Sequence, residues 1–202
     1  IIVFLGAAVN GESAFSTVQL LWINLIMDTF AALALATERP HPSIIKTPPF
    51  KPTDSIVTAN MWKQIYGMTL FITIIMIIQL FLSKFMWDLE FTREGPFFNE
   101  AGFTDKGVAY TIAFNTFIFM HIFNEINCRK VGRKDFNVFE KFLHNQYFLL
   151  VLIGTFTAQI LMCKWFPGIT GTEQMNKGEW GACIALGSTN LLVGALLKLT
   201  PE

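Results

Sequence analysis

Charge is scarce in this 202-residue sequence: 15% of its residues are Asp, Glu, Lys or Arg, while 52% are hydrophobic. A soluble domain carries about a quarter charged residues, so the composition excludes a chain that meets water on all sides. An excess of either sign is missing as well. Fifteen basic and fifteen acidic side chains cancel to a net charge of zero, which leaves no global basic field to hold nucleic acid. Cysteine is rare and scattered: Cys128, Cys163 and Cys183 form no CxxC pair and no zinc spacing, and read as small packing residues. The sequence has no Gly-rich phosphate loop, GxSxG elbow or HExxH helix, so no catalytic or cofactor-binding residue is expected within it. It also lacks a repeat at a solenoid period and any low-complexity tract.

What is abundant is apolar bulk, with 21 phenylalanines, arranged in runs long enough to cross a hydrocarbon core of about 30 Å, which takes about 20 residues. Such runs lie near 18–37, 61–84, 108–128, 145–165 and 179–199. An opening stretch, Ile1 to Val9, is too short to span and lacks the basic flank of a signal peptide; residues 1–10 read as the end of a truncated transmembrane helix. The expected fold is therefore all-α, a polytopic transmembrane helical bundle. The run from Tyr66 to Phe81 presents almost no polar face. The 108–128 run is interrupted by Asn115, His121, Asn124, Glu125 and Asn127, and polar groups at that depth predict a helix facing the bundle interior.

The connecting segments differ in charge. Residues 38–60 hold five prolines with Arg39, Lys46 and Lys51, and 129–144 hold Arg129, Lys130, Arg133, Lys134 and Lys141. Residues 85–107 are mainly acidic, with Asp88, Glu90, Glu94, Glu100 and Asp105. The positive-inside rule places both basic segments in the cytosol, and alternation of the spans returns the C-terminus there too. Trp22, Trp62, Trp87, Trp165 and Trp180 all fall near predicted span ends, as interfacial indoles do.

Within the first full span, Asn24 and Asp28 stand four apart, a spacing that gives them one face of an α-helix. A carboxylate at membrane depth costs roughly 2.5–3.5 kcal/mol unless it meets a partner, water or a cation. Amide and carboxylate oxygens suit a hard cation such as calcium, whose six to eight ligands would come from several helices. A protonated Asp28, or one paired with a basic group on a neighbouring helix, satisfies the same cost. His121 lies one turn before Glu125; an imidazole there is a poor calcium ligand and a fair proton carrier, or a hydrogen-bonding link between helices. Glu125, beside a basic segment, reads as a solvated or salt-bridged cap. The small residues Gly181, Ala185, Gly187, Ser188 and Gly194 predict close helix packing.

The run Val18-Gln19-Leu20-Leu21-Trp22-Ile23-Asn24-Leu25-Ile26-Met27-Asp28-Thr29, followed by Ala34-Leu35-Ala36-Thr37-Glu38, resembles the sixth transmembrane helix of plasma-membrane-type, calmodulin-regulated P-type calcium ATPases. Tyr110 to Phe117 and Phe123-Asn124-Glu125-Ile126-Asn127 resemble that family's eighth helix. The resemblance covers effectively the whole chain and implies the end of the fifth pump helix followed by helices six to ten, with 11–202 the C-terminal cation-transporting membrane domain. It implies Asn24 and Asp28 as Ca2+ ligands. His121 takes a position that is a ligand in the related reticulum-type pumps and usually glutamine in the plasma-membrane type, a departure consistent with a single calcium ion and leaving open a part in proton countertransport. By the same resemblance the parent is an ATP-driven translocase exporting Ca2+ from the cytosol, with ATP and Mg2+ bound in parts not contained here, so that these residues alone are not catalytic. Its partners would be the lipid bilayer, the rest of the pump chain and calmodulin through other segments, in the plasma membrane or a calcium-storage vesicle. Two alternatives stay open: a P-type pump for another cation, or a truncated structural or regulatory membrane subunit.

Overall fold

The computed structural model describes residues 2–4, 15–38, 55, 57–87, 103–130, 138 and 142–199, with only the backbone described for 26–28, 81–87, 103–106 and 143. Most of the proline-rich linker, the acidic segment 88–102 and the basic stretch 131–137 lie outside the described residues. Among those described there is no strand, and the protein is an all-α membrane bundle.

Helix α1 (Thr17–Ile23) runs without a break into a π-helical segment (Asn24–Phe30) and then α2 (Ala31–Ala36). After the linker come α3 (Ala59–Trp87) and α4 (Phe103–Cys128), then a 3-10 turn (Phe142–His144), α5 (Gln146–Trp165), the short α6 (Pro167–Thr170) and α7 (Lys177–Leu199). Length and apolarity sufficient to cross a membrane are found in three of them: α3 over Ala59–Leu80, α5 and α7. Helix α4 carries Asp105, Lys106 and Glu125 among its apolar residues. The first helical run is divided into pieces of 7, 7 and 6 residues by its π segment.

Helix α4 is the axis of the bundle. Its Ile112, Ala113, Phe114, Ile118, Phe119 and Met120 are buried, with Met76 of α3, Cys163 of α5 and Cys183 of α7 in the same cluster. Its closest partner is α7, and the reason is steric. A Cβ on Gly187 would stand 2.7 Å from Phe119 Cβ and 2.9 Å from its carbonyl carbon, and one on Gly194 would strike the Asn127 side chain. Among the glycines of α7, close approach to α4 is thus confined to Gly187 and Gly194, since nothing approaches Gly178 or Gly181 within 4 Å. Polar side chains then join the surfaces. Asn127 Nδ2 donates to the Asn190 carbonyl at 2.8 Å, Asn190 Nδ2 donates back to the Met120 carbonyl, and Gln79 Nε2 of α3 donates to Thr116 Oγ1 at 3.0 Å. Inside a membrane such bonds contribute about 0.6 kcal/mol each on average.

The outer surface is apolar: Leu21, Leu70, Leu150 and Leu192 are 62–71% exposed. In water that many bare leucines would be a liability, whereas in lipid they lie in a matching solvent. Trp62 and Trp165 are exposed near helix ends, as interfacial indoles are expected to be. Trp22 differs, because its ring turns into the bundle and its N–H is spent on Gln159.

Candidate cation site

The helix carrying Asn24 and Asp28 begins with a capping box. Ser16 Oγ accepts from the Gln19 amide at 3.2 Å, and the Ser16 amide donates to Gln19 Oε1 at 3.0 Å. This arrangement satisfies two of the amides a helix start leaves unpaired. The same two side chains reach the far side of the bundle: Gln19 Nε2 donates to the Thr170 carbonyl at 3.1 Å, and Ser16 Oγ lies 3.4 Å from it. That carbonyl sits at the end of α6, which opens on Pro167 and closes on Gly171 at φ 65°, a left-handed turn that glycine adopts without strain.

From Asn24 the backbone widens to π geometry over Asn24–Phe30. Such stretches are rare, usually a single turn, and cluster at functional sites. The widening bears on the spacing argument: Asn24 and Asp28 share a π-helical stretch, not a regular α-helical face. The i to i+5 register shows in Thr29, whose Oγ1 lies 3.4 Å from the Asn24 carbonyl oxygen. Asn24 is exposed. The side chain of Asp28 lies outside the described residues.

The other end is tied down by charge. Arg129, just past α4, grips Glu38 through NH2 to Oε1 at 2.8 Å and Nε to Oε2 at 3.2 Å, and donates NH1 to the Val138 carbonyl at 3.2 Å. Its guanidinium is enclosed between Phe148 and Phe142, 5.0 and 5.3 Å from their ring centres. Asn145 Nδ2 adds a donor to Glu38 Oε2 at 3.0 Å. Hydrogen bonding from Arg129 outweighs partial burial and, with Asn145 and the positive charge of Arg129, holds the Glu38 carboxyl below its ordinary range. A fork-to-fork contact of this kind fixes orientation as well as distance.

His121 is half-buried on α4, its ring 4.3 Å from that of Phe117 at a 52° tilt. It lines a largely apolar cavity of about 250 Å3 together with Thr69 and Thr73 of α3 and Leu20 and Ile23 of α1. Asn24 is not part of that lining. Asn24 and His121 therefore belong to neighbouring but separate surfaces, and among the described residues no three His, Cys, Asp or Glu side chains gather as a metal site would require.

Two features of α4 go beyond the sequence reading. Glu125, expected as a solvated or salt-bridged cap, is 5% exposed, and neither carboxyl oxygen has a hydrogen-bond partner among the described residues. Asn115 belongs to a chain of polar side chains reaching into the core: Gln159 Nε2 donates to Asn115 Oδ1 at 2.9 Å, and the half-buried Trp22 donates through Nε1 to Gln159 Oε1 at 2.9 Å. Asn115 stood out in the sequence as a polar residue within an apolar run, but its pairing with Gln159 on α5 did not.

Comparison with known proteins accords with this architecture. The family model for cation transporting ATPase, C-terminus, matches residues 12–200. A probable calcium-transporting ATPase 8, plasma membrane-type, of Oryza sativa subsp. japonica is 36% identical over 201 residues, which is 100% of this chain and 18% of that protein. The plasma membrane calcium-transporting ATPase 4 of Homo sapiens is 36% identical over 202 residues, 100% of this chain and 16% of that protein. The plasma membrane calcium-transporting ATPase 2 of Oreochromis mossambicus is 35% identical, again over 100% of this chain and 18% of its own length. The chain thus spans less than a fifth of the relatives it matches, and with its apolar helices it is an integral membrane protein whose sequence belongs to the cation-transporting ATPase family, in the C-terminal membrane region of those pumps.

Proposed function

We propose that this chain forms the transport-side helices of an ATP-driven calcium pump that exports Ca2+ from the cytosol, with Asn24 and Asp28 supplying ligands to the ion. The observation that carries the reading is the π-helical stretch Asn24–Phe30, which sets an amide and a carboxylate in the middle of an otherwise apolar helix. The relatives are named as calcium-transporting ATPases, and oxygen donors are what calcium takes.

In this proposal calcium is the cargo. ATP and Mg2+ act in the remaining four fifths of the relatives' length, where phosphorylation would drive the helices between inward-open and outward-open forms. The clamps at Thr170 and at Arg129 hold the ligand helix at both ends, so that a motion arriving through the linker after Glu38 reaches the π segment. His121, at the edge of the cavity, is a further candidate for ion or proton handling. Asn24 faces away from the described bundle, so other ligands would come from pump segments beyond these residues. The C-terminus is cytosolic by the charge of the connecting segments, the host is the plasma membrane or a calcium-storage vesicle, and any calmodulin contact belongs to other segments of the parent.

The test is ATP-driven calcium uptake into vesicles bearing the full-length parent at matched expression. Asp28→Asn removes the charge that compensates a desolvated divalent ion and is expected to abolish uptake while leaving insertion intact. Uptake unchanged by that substitution would mean a structural carboxylate, and inhibition by a competing cation in preference to calcium would assign another cargo.

A further inference from the structure

The first helix is locked in rotation by one of its faces. Gln19 and Trp22, three residues apart, share that face. Gln19 Nε2 reaches the Thr170 carbonyl at 3.1 Å, and Trp22 Nε1 reaches Gln159 Oε1 at 2.9 Å. Asn24 follows Trp22 by two residues, about 200° around an α-helix, and is exposed. Holding the Gln19–Trp22 face against the bundle therefore turns Asn24 away from it.

The donor order of this lock is fixed over three helices. Asn115 Nδ2 is tied to the Thr111 carbonyl one turn earlier, at 3.0 Å. Its Oδ1 must then accept, and it receives Gln159 Nε2 at 2.9 Å. Gln159 is 0% exposed; with its amino group spent on Asn115, and 3.4 Å from Cys163 Sγ, only its carbonyl oxygen remains to face the indole. The indole N–H is a donor without an acceptor function, so Trp22 meets Gln159 in one sense only. The contact lies one residue before the α-to-π transition between Ile23 and Asn24, where a small rotation of the α-helical part is carried directly into the stretch that follows.

We infer that Trp22 and Gln159 are a pair of positioning residues that set the rotation of the ligand helix, and through it the calcium affinity of the pump. The inference rests on the reading of Asn24 and Asp28 as ligands. Neither positioning side chain touches the ion. Their effect falls on how well the ligands are aimed before calcium arrives, and so on half-maximal calcium more than on turnover, as with outer-shell partners of metal ligands.

Trp22→Phe keeps an aromatic ring and removes the N–H; Gln159→Leu removes the acceptor. In the full-length pump, ATP-driven calcium uptake is measured against free calcium for each, for the double variant and for Asp28→Asn. A control, Gln79→Leu, removes a buried interhelical bond of similar length, 3.0 Å to Thr116, that does not involve the first helix. The expected result is a rise of about fivefold in half-maximal calcium for each single variant, within the range seen for residues that couple to a site without touching it. Maximal rate should stay within about twofold, the double variant should be no worse than the stronger single one, and Gln79→Leu should not shift. An unmoved half-maximal calcium in Trp22→Phe overturns the inference, as do additive effects in the double variant or an equal shift in Gln79→Leu. Should Gln159→Leu fail to insert, Trp22→Phe decides alone. Normal transport by Asp28→Asn would overturn the ligand reading itself, whereas loss there with Trp22→Phe unmoved overturns the positioning inference only.

Discussion

At the scale of single residues, the firmest electrostatic contact is Glu38 with Arg129. Because Asn145 and two aromatic rings complete its shell, replacing Arg129 by Lys loses the fork and the stacking together. Arg129→Ala should cost about 1–3 kcal/mol of stability, seen as a lower thermal midpoint in detergent, with Arg129→Lys falling between it and wild type. The pH dependence has a definite sign. The folded Glu38 carboxyl lies below its ordinary value of 4.5, so its contribution is fully present above that value and is lost as pH falls through the lowered one. Thermal midpoints taken downward from pH 6 should fall less steeply in Glu38→Gln than in wild type. An equally steep fall in the variant would place the acid sensitivity elsewhere. Little of this pair was legible in the chain: Glu38 and Arg129 each close a span, but only the fold brings residues 91 positions apart together.

Among the elements, the apolar runs announced their helices well because length and apolarity are local properties. What they could not announce was geometry that depends on partners. Asn24 and Asp28 fit an α-helical face as readily as a π-helical one, since the residue pattern does not distinguish i+4 from i+5 bonding. Trp22 had the address of an interfacial indole, and only the position of Gln159 on α5 reveals it as an internal donor. The small residues of α7 also look alike in sequence yet differ in space, which gives a paired prediction. Gly187→Ala sets a Cβ 2.7 Å from Phe119 Cβ and 2.9 Å from its backbone, and should cost about 1–3 kcal/mol by overpacking. Gly181→Ala meets nothing within 4 Å and should be neutral or stabilise by up to about 1 kcal/mol through helix propensity. Thermal unfolding in one detergent separates them; equal effects would mean that α4 and α7 do not approach as closely as described.

For the molecule as a whole, α4 holds α3, α5 and α7 around it while the first helix is pinned at Thr170, Gln159 and Arg129 and leaves Asn24 exposed. Its apolar exterior makes sense in a bilayer, and the charge pattern of the connecting segments carries a prediction of orientation. A tag after Glu202 in the full-length parent should be reached by protease only from the cytosolic side; cleavage from the opposite side would reverse the topology. The calcium site proposed above lies on the π-helical stretch from Asn24 to Phe30. The most direct measurement is equilibrium binding of radioactive calcium to the purified parent without ATP, in wild type, Asn24→Ala and Asp28→Asn. One calcium ion per wild-type pump is expected, with weaker binding in Asn24→Ala and none detectable in Asp28→Asn over the same range. Wild-type binding in both variants would remove the calcium ligands from this stretch.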